Sequence, residues 1–412
     1  MAGSKVQRSV RILTPAFVAG AQPRAGKEDI RREGLRYTYV QAGMRWWFRA
    51  LAGGLLGTRN MPSVRLAESL IFGTPKTIEI QRPGQWPLRL QGAASRLRGT
   101  VTTLNADADP FDPRGHRDLA YLAFGMQAER GSRLPARCYL VPGARFQVEI
   151  RIEPPRVSGE PEIPAALVES LLDLWISFGG LGARWRHGLG GLARDDPAAV
   201  PSAQLGQVVM QELSQARKLV GAFLQAAEVT PNCSEGDLPL FPVVQKDFLF
   251  VKRSKAAYRS WEPALGAIKR LWRGSRQADP SNPQSPTLNR EVYYQYLFDR
   301  PVHNAVNFGG LGLPIPFQFP QLSKDRKGAV RPSGEFGRRA SPIWFRLRPV
   351  RSERGEELAI LALYWRAAYL PEGTQVCLSG REDLDHPVQI DQNEAEAWFR
   401  NVLSDWPSVS LR

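Results

Sequence analysis

The chain is poor in the residues from which catalytic and metal centres are usually built. Its four histidines, His116, His187, His303 and His386, are scattered, and no HD or HExxH pair exists. The three cysteines, Cys138, Cys233 and Cys377, are far apart and show no CxxC spacing. That argues against a structural zinc site and against a secreted disulfide framework. No apolar h-region follows Met1, and no apolar run approaches the ~20 residues needed to span a bilayer. The expectation is a cytoplasmic protein with no membrane partner and no cofactor. Asn105, Asp107 and Asp109 alternate as in a calcium loop, but Pro110 stands where an EF-hand needs glycine, so that reading is rejected. Asp29 is a lone acid that could support metal-assisted RNA cleavage; a surface aspartate is the plainer reading.

Acidic charge is also short. Fifty-five basic residues face forty acidic ones across 412 residues, a net charge of +15. Ten of the basic residues are lysine and forty-five arginine. A GC-rich genome accounts for much of the arginine-to-lysine ratio, but not for the positive excess. Arginine grips phosphate at two points and stacks on bases, so the excess points to a nucleic acid partner ahead of a membrane surface. Hydrophobic residues at 43% are enough to bury an ordinary core.

Several elements are legible. Val6, Val10, Ile12 and Leu13 predict an opening strand. Residues 22–34 read as a polar connection, and LRYTYV (35–40) as a short β-prone piece. Met44, Trp47, Phe48 and Leu51 predict a helix face, with Gly53-Gly54 ending it. Arg45 and Arg49 sit four apart on a different face, as phosphate contacts or as a solvated ion-paired surface. Strands are expected over 76–90 and 96–104. Phe146, Val148, Ile150 and Ile152 alternate after Pro142-Gly143, predicting a hairpin over 138–154. Leu167, Leu171, Leu174 and Phe178 stripe a second helix. This order fits the βαββαβ pattern of a ferredoxin-like α+β fold. Residues 195–205 read as a linker and 206–227 as a connecting helix. The second half restarts as strand (KDFLFVKRS), helix, glycine-rich turn (307–319) and paired strands (341–350 and 357–370).

The densest signal is GGLGARWRHGLGG (179–191), six glycines around Arg184, Trp185, Arg186 and His187. It is neither a Walker A loop nor a GxGxxG helix start. Glycine lets backbone N–H groups approach an anion, so Gly180, Gly182 and Gly188 read as permission for RNA to come close. Arg184 and Arg186 would grip phosphate and His187 would donate to phosphate or hydroxyl. Core packing is the plainer reading of Trp185. In the basic segment 323–342, Arg338 and Arg339 abut a strand and are the better placed cations.

RILTPAFVAGA, GMRWWFRALAGG and FGGLGARWRHGLGGL in the first half, with SWEPALGAIKRLWR, FGGLGLPIPFQF and GRRASPIWFRLRPV in the second, resemble the RAMP proteins of type III CRISPR effector complexes. Among these, the resemblance is to the first-numbered subunit of the type III-B, or Cmr, complex. It implies two ferredoxin-like (RRM-like) domains, 1–200 and 201–412, with antiparallel sheets packed by helices. It also implies a non-catalytic RNA-binding role near the 3′ end of the guide RNA, helping capture target RNA, with other RAMP subunits as neighbours. Arg45 and Arg49 match the family's helix arginines, and Arg184, Arg186 and the glycines around them match its RNA-facing loop. Gln41 and Ala42 stand where the family usually carries a basic residue and a glycine. Two alternatives stay open: a RAMP endoribonuclease acting through His187 or Asp29, and a purely structural assembly subunit.

Overall fold

The computed structural model describes residues 4–18, 26–74, 78–82, 85–90, 94–123, 126, 135–195, 199–229, 238–274, 305–306, 311, 315–318, 327–333, 340–368, 370, 373–379, 386–391 and 393–410. The first half runs β1 (Lys5–Ile12), α1 (Lys27–Glu33), α2 (Tyr37–Leu56), α3 (Met61–Phe72), β2 (Ile78–Arg82), β3 (Gln85–Leu90), β4 (Leu97–Asn105), β5 (Ala108–Pro110), α4 (Arg117–Leu122), β6 (Cys138–Leu140), β7 (Arg145–Ile152), α5 (Ala165–Phe178) and β8 (Leu192–Arg194). Next come β9 (Val200–Pro201) and the long helix α6 (Leu205–Ala226). The second half holds β10 (Leu249–Tyr258), α7 (Trp261–Gly274), β11 (Ala305–Val306), β12 (Ile315–Gln318), β13 (Lys327–Pro332), β14 (Ile343–Ser352), β15 (Gly355–Trp365), β16 (Val376–Ser379), β17 (His386–Ile390), α8 (Glu394–Val402) and β18 (Ser408–Val409).

The first sheet has the order β4-β7-β1-β8 and is antiparallel throughout. With α2 between β1 and β4, and α5 between β7 and β8, this is the ferredoxin-like strand order. Val6, Val10 and Ile12 on β1 share a buried face with Phe146, Val148 and Ile150 on β7, because side chains alternate along a strand. The second sheet, β18-β10-β15-β14-β9, repeats the arrangement, with α7 and α8 as its crossovers and β9 added at the edge. The fold is α+β, with antiparallel sheets packed by helices. A third sheet, β11-β17-β16-β13-β12, is inserted around the second.

Several local expectations are corrected. LRYTYV is not a strand: Tyr37 opens α2, and burial of Val40 on the core face overrides the β preference of Tyr and Thr. Residues 27–33 of the expected connection form α1. Gly53 and Gly54 do not end α2, which continues to Leu56 before Gly57. They are glycine because a Cβ at Gly53 would meet the Phe241 ring at 2.8 Å and one at Gly54 the Val244 carbonyl at 2.7 Å. The stretch 138–154 is no hairpin. β6 pairs with β5, whereas β7 pairs with β1 and β4, so Pro142-Gly143 turns a corner between sheets. The expected linker at 195–205 includes β9, which pairs in parallel with β14.

The core is continuous across the two halves. One apolar cluster runs from β1, α2, α3 and α5 through α6 to Trp344, Leu361, Leu363 and Trp365 of the second sheet. A second cluster packs α7 and α8 on the opposite face of β14 and β15, around Phe345, Leu347, Ile360 and Trp272. Strands β14 and β15 are therefore buried on both faces, which is why ELAILALYW reads as an unbroken apolar run.

Tyr37 lies over β4 at Gly99, where an added Cβ would fall 2.0 Å from its ring, and its buried hydroxyl has no hydrogen-bond partner. Burial pushes the phenol up to about 12, with the Arg98 charge pulling the other way. A tyrosine in the unfolded chain ionises near pH 10. The neutral phenol therefore stabilises the fold fully below pH ~10, and that contribution is lost as pH climbs toward 12. Tyr37→Phe should lose less stability than the parent between those limits in alkaline denaturation titrations. Equal losses would show that this phenol does not drive the alkaline limit.

Candidate nucleic-acid interface

The cationic residues singled out in the sequence fall into two groups. The first is on α2. Arg45 donates from Nε to Glu68 Oε1 at 2.7 Å, and Arg49 Nε lies 3.3 Å from Glu68 Oε2. Glu68 is a buried residue of α3, while Arg45 and Arg49 keep 36% and 44% of their side chains exposed. The Arg45 guanidinium also sits 5.8 Å from the Phe72 ring centroid. One carboxylate thus orients two guanidiniums and neutralises one, which leaves a fixed positive charge on a solvent-facing ridge. The ion pair expected of a solvated face is present, but it is unequal. Gln41, one turn earlier, donates to Ser95 Oγ at 3.0 Å.

The second group is the turn 179–191. Its path is fixed by the segment after β1. Ala183 N donates to Phe17 O (2.9 Å) and Gly190 N to Pro15 O (2.9 Å). Buried Thr14 donates to Gly188 O (2.8 Å) and accepts from Gly191 N (2.7 Å). Gly188 N donates to Trp185 O, and Leu181 N to Gly190 O. These N–H groups are spent inside the protein.

The glycines have internal neighbours in the same way. Gly182 has φ +80° and a would-be Cβ 2.4 Å from Phe17 O. Gly188 has φ +89° and would meet Ile268 at 2.8 Å. Gly180 would meet the Trp185 Cβ and the Arg346 guanidinium. Their missing side chains admit the protein's own main chain and core.

The turn's tip differs from its base. Arg184 is exposed and adopts φ +62°, a left-handed conformation that non-glycine residues rarely take. Trp185 is half-buried, edge-on to Trp344 at 4.7 Å, with the Arg186 and Arg346 guanidiniums 5.2 and 4.5 Å from its ring centroid. Its ring packs against the second sheet. His187 lies edge-on to Trp272 at 5.6 Å, and its backbone bridges to Phe345. Trp46 and Trp185 both pack against Trp344, at 4.8 and 4.7 Å, so α2 and the turn meet on the second sheet. Arg338 and Arg339 lie outside the described residues.

The acidic candidates are engaged elsewhere. Asp29 pairs with Arg32 at 3.4 Å on α1. Asp107 accepts from Arg31, which with the Ala108 N–H holds its carboxyl below the usual range, and Asp109 pairs with Lys27 at 2.6 Å. Among the described residues, no three His, Cys, Asp or Glu side chains are grouped to hold a metal, and no helix is long and apolar enough to cross a membrane.

Two residues of this region escaped the sequence reading. Glu68 sits on α3, a helix whose signal in the sequence is the spacing of Val64, Ala67, Leu70 and Ile71. Arg346 alternates with Phe345 and Leu347, a pattern that places it on a solvent face, yet it is 1% exposed because the first half covers that face.

Residues 43–193, from α2 through the glycine turn to β8, match the model of the RAMP superfamily. The chain is 28% identical over 192 residues to the CRISPR system Cmr subunit Cmr1-2 of Pyrococcus furiosus, covering 44% of this chain and 89% of that protein. It is 27% identical over 161 residues to Cmr1-1 of the same organism, covering 38% of this chain and 40% of that one. In fold it is similar to the crystal structure of apo Cmr1 from Pyrococcus furiosus, with a TM-score of 0.56, 17% identity and 99% of both chains covered. Sequence and fold thus point the same way: residues 43–193 match the RAMP superfamily, and the chain is similar to Cmr1 in sequence over part of its length and in fold over nearly all of it.

Proposed function

We propose that the chain is a non-catalytic RNA-binding subunit of a type III-B CRISPR (Cmr) effector complex. In this reading it sits near the 3′ end of the guide RNA, helps capture target RNA and contacts other RAMP subunits. Residues 1–200 would form the N-terminal domain and 201–412 the C-terminal one. The names of the matched relatives support the assembly. The observation that carries RNA binding is the α2 ridge, where two half-exposed arginines share one buried carboxylate. Held guanidiniums with surplus charge suit phosphodiester oxygens, because little side-chain freedom remains to be lost on contact. The tip arginines, Arg184 and Arg186, extend the same chemistry, with His187 beside them.

The test is RNA affinity across a salt series. Arg45→Ala/Arg49→Ala should weaken binding of single-stranded guide RNA about tenfold or more at low salt, a loss of roughly 1.4 kcal/mol per decade. Two lost phosphate contacts should also flatten the log–log salt slope by about 1.4. Glu68→Gln belongs in the same variant, so that no buried carboxylate is left unpaired. Unchanged affinity and slope would remove the ridge from the interface. The competing endoribonuclease reading is decided by incubating the full chain with guide precursor and target RNA, with and without magnesium. Specific products lost in His187→Ala or Asp29→Ala would replace the proposal.

A further inference from the structure

Arg346 of β14 is buried at the junction of the two halves, 1% exposed. Its Nε donates to the carbonyl of Phe178, the last residue of α5, at 2.8 Å. One terminal nitrogen donates to Trp185 O in the glycine turn at 2.5 Å. The other has no hydrogen-bond partner and faces Gly180, where an added Cβ would come within 3.1 Å. Among the described residues no carboxylate pairs with this guanidinium. Two positions along the same strand, Arg348 is nearly as buried and is held by both carboxylate oxygens of Glu212, at 2.9 and 3.0 Å. The strand thus solves one problem twice, once with a countercharge and once without.

A buried cation that lacks an anion is costly, and two carbonyl dipoles offset only part of that. Burial, followed by the like charge of Arg186, pushes the Arg346 guanidinium well below its ordinary range. The same side chain fixes both ends of the path leading to the turn's tip. We propose that Arg346 is a positioning residue for RNA contact by the 184–187 turn, and that the arriving phosphodiester supplies the negative charge its surroundings lack. The proposal rests on the RNA-binding reading above. RNA engagement at the tip is then coupled to the packing of the second sheet against the first half.

The experiment uses the full chain and its Arg346→Met, Arg346→Lys and Arg184→Ala/Arg186→Ala variants. Three quantities are read: the melting temperature, amide hydrogen exchange at His187 and Gly188 without RNA, and affinity for single-stranded guide RNA at low salt. Those two amides donate to Arg184 O and Trp185 O, so they report the turn itself. Arg346→Met is expected to melt no lower than the parent, to exchange faster at both amides, and to bind RNA about tenfold more weakly. Arg346→Lys keeps the charge but loses the fork, and should fall between. A folded Arg346→Met with parental exchange and affinity overturns the proposal. If that variant does not fold, parental values in Arg346→Lys overturn it. Equal affinity of the parent and Arg184→Ala/Arg186→Ala removes RNA binding by the tip, and the positioning role falls with it.

Discussion

Gly190→Ala should be among the most damaging single-methyl substitutions in the chain. Gly190 has φ +57°, and a Cβ built there falls 1.8 Å from the carbonyl oxygen of Leu181. No rotamer relieves that clash, because both partners are main chain and are tied by the Leu181 N–H to Gly190 O bond. The turn must open, and its bonds to Pro15, Thr14 and Phe17 open with it. The expected loss is about 4 kcal/mol or more, in the range reserved for backbone strain within a packed core. For a cooperative unit of about 200 residues, roughly half the chain, that lowers the melting temperature by roughly 8–16 °C. Gly143→Ala is the matched control: its φ is +97°, but nothing lies within 4 Å of the added carbon. That change isolates the conformational penalty, about 1–2 kcal/mol. Equal melting temperatures for the two variants would mean that the turn is looser than described.

Trp344→Ala should cost about 3–5 kcal/mol, the range for emptying a large aromatic from a core. Its ring is 1% exposed and lies 4.8 Å from Trp46, 4.7 Å from Trp185 and 4.9 Å from Trp365. It therefore touches α2, the glycine turn and β15 together, and its Nε1 donates to Ser341 O. Aromatic pairs add to the burial, so the upper end of the range applies. A fall of roughly 6–20 °C in the melting temperature is expected, with a red-shifted tryptophan emission as Trp46 and Trp185 meet water. A loss under 1 kcal/mol would show that the two halves repack without it.

How much of this was readable beforehand depended on whether a signal was local. The alternation of Phe146, Val148, Ile150 and Ile152 and the stripe of α5 each name one face, and the structure buries both. The two charged pairs on α2 and the turn were visible as residue types, and a family resemblance gave their context. Three things were hidden. Gly53 and Gly54 read as a helix stop because the sequence does not reveal that residues 241–244 pack against them. The six glycines of the turn read as room for a ligand, yet a hydrogen in place of a side chain serves a neighbouring carbonyl equally well. Arg346 followed the strand alternation of an exposed residue, because nothing near it announces that a second face is covered.

The shared core has a consequence for synthesis. The first sheet and its helices leave the ribosome complete, but Trp46 and Trp185 also pack against β14, and Trp46 against β15, which come later. Those strands follow on the order of ten seconds later at ordinary elongation rates. For that interval the newborn chain presents an indole-lined surface to the cell, a window in which a chaperone or a premature neighbour can claim it before its own C-terminal half arrives.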